Sequence, residues 1–92
     1  VADTRTLLAG LREYHNSLKR HLILVRQEFA EVEKQWYAFS SVYEGNHADQ
    51  FRARWLNTTQ VFHEYVDRSE RIATILEERI EALQLLDNTT TG

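Results

Sequence analysis

Ninety-two residues, 42% apolar and 27% charged, are enough for one small folded domain with apolar material to bury. The formal charge of −3, from eleven Lys and Arg dispersed among fourteen Asp and Glu, argues against the basic stripe that neutralising phosphates requires. The absence of cysteine excludes a disulfide framework, a thiolate zinc site and a cysteine nucleophile, and suits an exported or a cytoplasmic protein equally.

The first residues lack the basic-then-apolar order of a signal peptide, so export, if it occurs, is expected without a cleavable signal. The chain begins at Val1 and contains no methionine, which suggests a processed or trimmed start. Asp3 or Thr4 is a candidate N-cap for a first helix over about residues 4–43. From Leu18 onward bulky residues recur at Leu22, Val25, Phe29, Val32, Trp36, Phe39 and Tyr43, in the alternating steps of a heptad seam. The longest purely apolar run, Leu22 to Val25, falls far short of the roughly 20 residues of a membrane span.

Gly45 then interrupts a chain without proline. A left-handed glycine closing the first helix, Asn46 as the next N-cap and Asp49 in the following positive turn predict a tight reversal at about residues 44–46. A second helix is expected over about residues 47–86, each helix reaching roughly 55–60 Å at 1.5 Å per residue. Its seam reads Ala48, Phe51, Trp55, Thr58, Phe62, Tyr65, Ser69, Ile72 and Leu76, then Ile80 and Leu83, with an extra step of four before Ile80 that resembles a stutter. The polar tail 87–92 loses periodicity and is expected to be disordered.

The predicted architecture is an all-α antiparallel two-helix hairpin in a single domain. One partner helix covers one seam only, yet Ile23, Leu24, Ala30 and Tyr37 lie off it on the first helix, as do Leu56, Val61, Val66, Ala73, Ile75 and Ala82 on the second. These extra stripes predict a dimer, with a second copy or a similar hairpin, forming an antiparallel four-helix bundle. The candidate packing and interface set is Leu22, Ile23, Val25, Phe29, Trp36 and Phe39, with Phe51, Trp55, Phe62, Tyr65, Val66, Ile72 and Leu76 on the second helix. The alternative is that these residues cover the hairpin's own edges or contact another domain.

Chemistry is sparse. His15, His21, His47 and His63 fall in no His-Glu-X-X-His pattern, and the spacing of Glu44 to His47 straddles the turn instead of one helix face. Glu28 with Glu31, Glu64 with Asp67, and Glu77, Glu78 and Glu81 stand near Arg26, Arg68, Arg71 and Arg79, as solvated ion-pair faces do. His15 sits on the seam between Leu11 and Leu18, where a hydrogen-bonded core or interface histidine is expected in preference to a ligand. No glycine-rich phosphate loop or nucleophile elbow is present, and the aromatics have the spacing of packing residues. No catalytic residue, cofactor or metal is expected.

Two near-equal helices, an aromatic-X-Gly reversal at Tyr43-Glu44-Gly45, a small residue at Ala48 and aromatics at Phe51 and Trp55 together resemble the WXG family of small helical hairpins. Tyr stands where that family has Trp. The resemblance implies a non-enzymatic, homo- or heterodimeric protein exported by a type VII (ESX-like) secretion machine, with the turn presented to the secretion ATPase. It also implies a Tyr-X-X-X-Asp/Glu signal on one partner; here no Tyr has Asp or Glu four residues later, Tyr65 being followed by Ser69. The other reading is an intracellular coiled-coil adaptor or oligomerisation module with a convergent turn.

Overall fold

The computed structural model describes residues 2–42 and 45–91, so Tyr43 and Glu44 of the turn motif lie outside the described residues. Two helices, α1 (Ala2–Ser40) and α2 (Asn46–Thr91), make up the fold, with no strand among the described residues. They pack as an antiparallel hairpin in a rod of 70 × 17 × 14 Å. Contacts run its whole length. Arg5 meets Asp87 at the open end (3.8 Å), Arg26 pairs with Glu70 midway, and Trp36 stacks on Phe51 near the turn.

Burial defines the seam more sharply than bulk does. Every described side chain of α1 that is at least partly covered lies at 4, 8, 11, 15, 18, 22, 25, 29, 33, 36 or 40. On α2 the covered positions are 48, 55, 59, 62, 66, 69, 73, 76, 80, 83, 84 and 87. From Trp55 to Asp87 the steps of four and three alternate without interruption once Gln84 is set aside, so the expected stutter before Ile80 is absent. It appears instead in α1, where two successive steps of four join Val25, Phe29 and Glu33.

The difference arises because neighbouring apolar residues compete for one seam position. Thr59, Val66 and Ala73 face the partner helix, and the larger Tyr65 and Ile72 beside them stand on the flank, 43% and 42% exposed. On α1, Glu33 and Ser40 likewise take the positions expected for Val32 and Phe39. At Tyr65–Val66, Ile72–Ala73 and Phe39–Ser40 the smaller side chain fits between two close helices and the larger one covers the rim, whereas Glu33 enters beside Val32 at the doubled step of four.

The two halves of the rod are filled differently. Toward the turn Phe29 stacks on Phe62 with centroids 3.8 Å apart and lies 5.6 Å from Trp55; Trp36 continues the column onto Trp55 at 5.4 Å and Phe51 at 5.0 Å. Toward the open end the covered positions are mainly aliphatic, among them Leu8, Leu11, Leu18, Leu76, Ile80 and Leu83. His15 interrupts them. It is buried, and its Nε2 has no hydrogen-bond partner, the nearest acidic oxygen being Glu77 Oε1 at 3.8 Å. The hydrogen-bonded core histidine expected from the sequence is therefore an orphaned polar atom in the seam.

Both helix ends near the reversal differ from expectation. α1 stops at Ser40, three residues early, where the Ser40 hydroxyl donates to the Tyr37 carbonyl (3.2 Å) and the Ser41 hydroxyl to that of Ala38 (2.8 Å). These side chains offer the last carbonyls a partner that another helical turn would otherwise supply. Arg52 adds a guanidinium to the Ser40 carbonyl at 3.5 Å, a favourable sign at a helix C-terminus. Gly45 does have a positive φ of 105°, but its carbonyl accepts from the amides of Ala48 (3.0 Å) and Asp49 (3.3 Å). It therefore acts as the N-cap of α2, and Asn46 is already the first helical residue. Asp49 lies in the first turn as expected, bonded to Arg52 at 3.1 Å.

At the far end α2 continues to Thr91, so residues 87–91 are helical where a disordered tail was expected. Asp87 occupies the next seam position and is held by Arg5, while Thr89 Oγ1 donates to the Leu85 carbonyl at 2.8 Å. Polar residues carry the heptad past the point where apolar periodicity ends.

Candidate interaction face

Once the seam is fixed, the residues beside it sort into two faces. Positions immediately preceding a seam residue lie on one side of the hairpin, and positions immediately following lie on the other, because antiparallel helices set like flanks together. Observed contacts agree: His21 and Tyr65, both preceding, bond at 2.7 Å (Nε2 to Oη), while Arg26 and Glu70, both following, form an ion pair.

The following side is charged and internally paired. On α1 it presents Arg5, Arg12, Lys19 and Arg26 at seven-residue intervals; on α2 it presents His63, Glu70, Glu77 and Gln84 at the same interval. Arg12 donates to Gln84, Arg26 pairs with Glu70, and Arg5 reaches Asp87. Opposite signs across one groove align the helices, and the charges remain in water, so each pair contributes modestly. Near the turn this side also carries Tyr37 and Leu56, which line a groove with Trp36, Trp55 and Arg52.

Large apolar residues recur along the preceding side, with His21, Glu28, Arg54, Arg68 and Arg79 among them. α1 contributes Leu7, Tyr14, Leu24, Val32 and Phe39; α2 contributes Phe51, Val61, Tyr65, Ile72, Ile75 and Leu86. All are more than two-fifths exposed. Glu28 and Arg79 are the charges closest to its centre line, with Glu31, Arg54 and Arg68 along its edges. Near the open end the face is indented: Thr6, Leu7, Gly10, Leu11 and Tyr14 of α1 and Ile72 and Leu76 of α2 line an apolar groove.

The elongated shape leaves room for an interface. The rod exposes 7190 Å², whereas a compact monomer of 10.9 kDa exposes about 5,600 Å². The excess of roughly 1,600 Å² is twice the ~800 Å² that each partner buries in a standard interface.

The candidate interface set divides accordingly. Leu22, Trp36 and Val66 are buried within the hairpin, and Val25, Phe29, Trp55, Phe62 and Leu76 are half-covered in the seam. Phe39, Phe51, Tyr65 and Ile72 belong to the apolar face, while Ile23 lies on the charged side in a groove with Lys19, Arg26 and Glu70. Leu7, Tyr14 and Leu86, not singled out in the sequence, complete the face with Val32, expected in the seam, and with the off-seam Leu24, Val61 and Ile75. The signal for them is position: each directly precedes a seam residue. Of the turn motif, Gly45 caps α2, Asn46 begins it, and Tyr43 and Glu44 lie outside the described residues.

Among the described residues no group of three or more His, Asp or Glu is arranged to hold a metal ion, and no helix is long and apolar enough to cross a membrane. Comparison with protein-family models, curated proteins and solved structures gave no match.

Proposed function

We propose that this protein is a non-enzymatic association module that pairs through its apolar face with a second helical hairpin, completing an antiparallel four-helix bundle. The single observation that carries this reading is the division of the hairpin into one mainly charged side with cross-helix pairs and one side on which large exposed apolar residues recur from Leu7 to Phe39 and from Phe51 to Leu86. Monomers rarely leave so many large apolar side chains together on one side in water. Covering it with a like surface removes large side chains from solvent at about 1.5–3 kcal/mol each, which outweighs the ordering cost when several are buried together.

The more specific form of this proposal is a WXG-like substrate or partner of a type VII secretion machine, with the Tyr43-Glu44-Gly45 turn offered to its ATPase. Its support is the resemblance at the turn and at Ala48, Phe51 and Trp55. Detection of the protein in culture medium, lost when a neighbouring secretion ATPase gene is deleted, tests it. A strictly cell-associated protein in an organism with no such ATPase would favour the adaptor reading instead. Tyr43→Ala is expected to reduce export while leaving the dimer intact.

A further inference from the structure

Gly10 lies in the interior of α1, where glycine is the least favourable residue after proline. Nothing within the hairpin requires it. A Cβ built on Gly10 meets no atom within 4 Å, and its φ is not among the positive ones. Its one structural consequence is the floor it gives to the groove lined by Leu7, Tyr14, Ile72 and Leu76. A missing side chain that the hairpin does not use is accounted for by something outside the hairpin that approaches α1 closely.

At the other end of the same face stand two half-exposed phenylalanines. Phe39 and Phe51 lie together at 5.6 Å, 42% and 46% exposed, and make a ridge beside the turn. The groove is near the open end and the ridge near the closed end. Two hairpins laid face to face in opposite directions bring each ridge over the other's groove, and twofold symmetry makes the fit twice. Laid in the same direction, ridge meets ridge and both grooves stay empty.

We propose that the Gly10 groove is a socket for the Phe39–Phe51 ridge of a second copy of this chain, and that it sets the direction in which the two hairpins pair. This rests on the dimer reading above and adds to it a self-complementary partner and a register. The occupant is a second copy because the face carries both halves of the fit, and because the roughly 1,600 Å² of excess surface is ample for a standard dimer interface.

Sedimentation equilibrium on the full chain tests it, with Gly10→Leu, Ala9→Leu as a control on the charged side, and circular dichroism to verify helix content. Gly10→Leu is expected to raise the dimer dissociation constant tenfold or more with helicity retained; Ala9→Leu is expected to leave it within twofold. A Gly10→Leu protein that stays helical and dimerises with less than a tenfold loss overturns the socket. A wild-type chain that is monomeric throughout overturns the dimer reading on which the socket rests. Orientation has its own readout, since the protein contains no cysteine. Thr6→Cys and Val42→Cys proteins, mixed and oxidised, are expected to give a mixed disulfide dimer; failure to cross-link while the dimer persists also overturns the proposal.

Discussion

The charged side and the apolar side of this hairpin have the same length, flank the same seam and come from the same two helices, yet they do different work. On the charged side α1 supplies the cations and α2 the acids, and Arg5, Arg12 and Arg26 each find a partner on α2 within one chain. On the apolar side His21 bonds Tyr65, and the large apolar side chains of both helices stand half-exposed. The lesson is that one heptad repeat can set cross-helix charge pairs and exposed apolar side chains on opposite flanks of a hairpin.

That contrast can be broken most forcefully on the apolar side. Tyr65→Glu together with Ile72→Glu places two charges at its centre and is expected to raise the dimer dissociation constant by at least about 100-fold, at roughly 1.5–3 kcal/mol per lost apolar contact. Sedimentation equilibrium reads the loss, and circular dichroism is expected to show the helices intact.

Next in size is the seam that both sides share. Trp36→Ala removes the ring that joins Trp55 to Phe51, and chemical denaturation is expected to show a loss of about 3–5 kcal/mol. His15→Leu has the opposite sign. Replacing a buried imidazole whose Nε2 is unpartnered with a seam aliphatic is expected to stabilise the fold by about 1–3 kcal/mol in the same assay. The smallest effect is on the charged side: Arg26 and Glu70 are each about half exposed, and Arg26→Ala with Glu70→Ala is expected to cost no more than about 1 kcal/mol, with dimer affinity unchanged. A large loss of affinity from that pair would erase the distinction between the sides.

The sequence made the two helices and the break between them legible, because three-four spacing of bulky residues and a lone central glycine are strong local signals. It did not resolve which of two adjacent apolar residues enters the seam. Tyr65 and Val66, or Ile72 and Ala73, fit the same periodicity, and size alone pointed to the larger. Burial chose the smaller, and that choice turns Tyr65 and Ile72 into members of the apolar face. Helix ends were obscured for a related reason. Ser40, Ser41 and Asp87 act through hydrogen bonds and an ion pair to specific atoms, which no hydropathy pattern records. Gly10, unremarked in the sequence, becomes informative only when the space around it is seen to be open.

The central claim is that the apolar side is an interface between hairpins laid side by side. Small-angle X-ray scattering with in-line light scattering tests it most directly, because mass and length are read together. The expected result is twice the 10.9 kDa chain mass with a maximum dimension still near the 70 Å of one rod. A particle of single-chain mass at all accessible concentrations, or one of doubled mass and nearly doubled length, would contradict it.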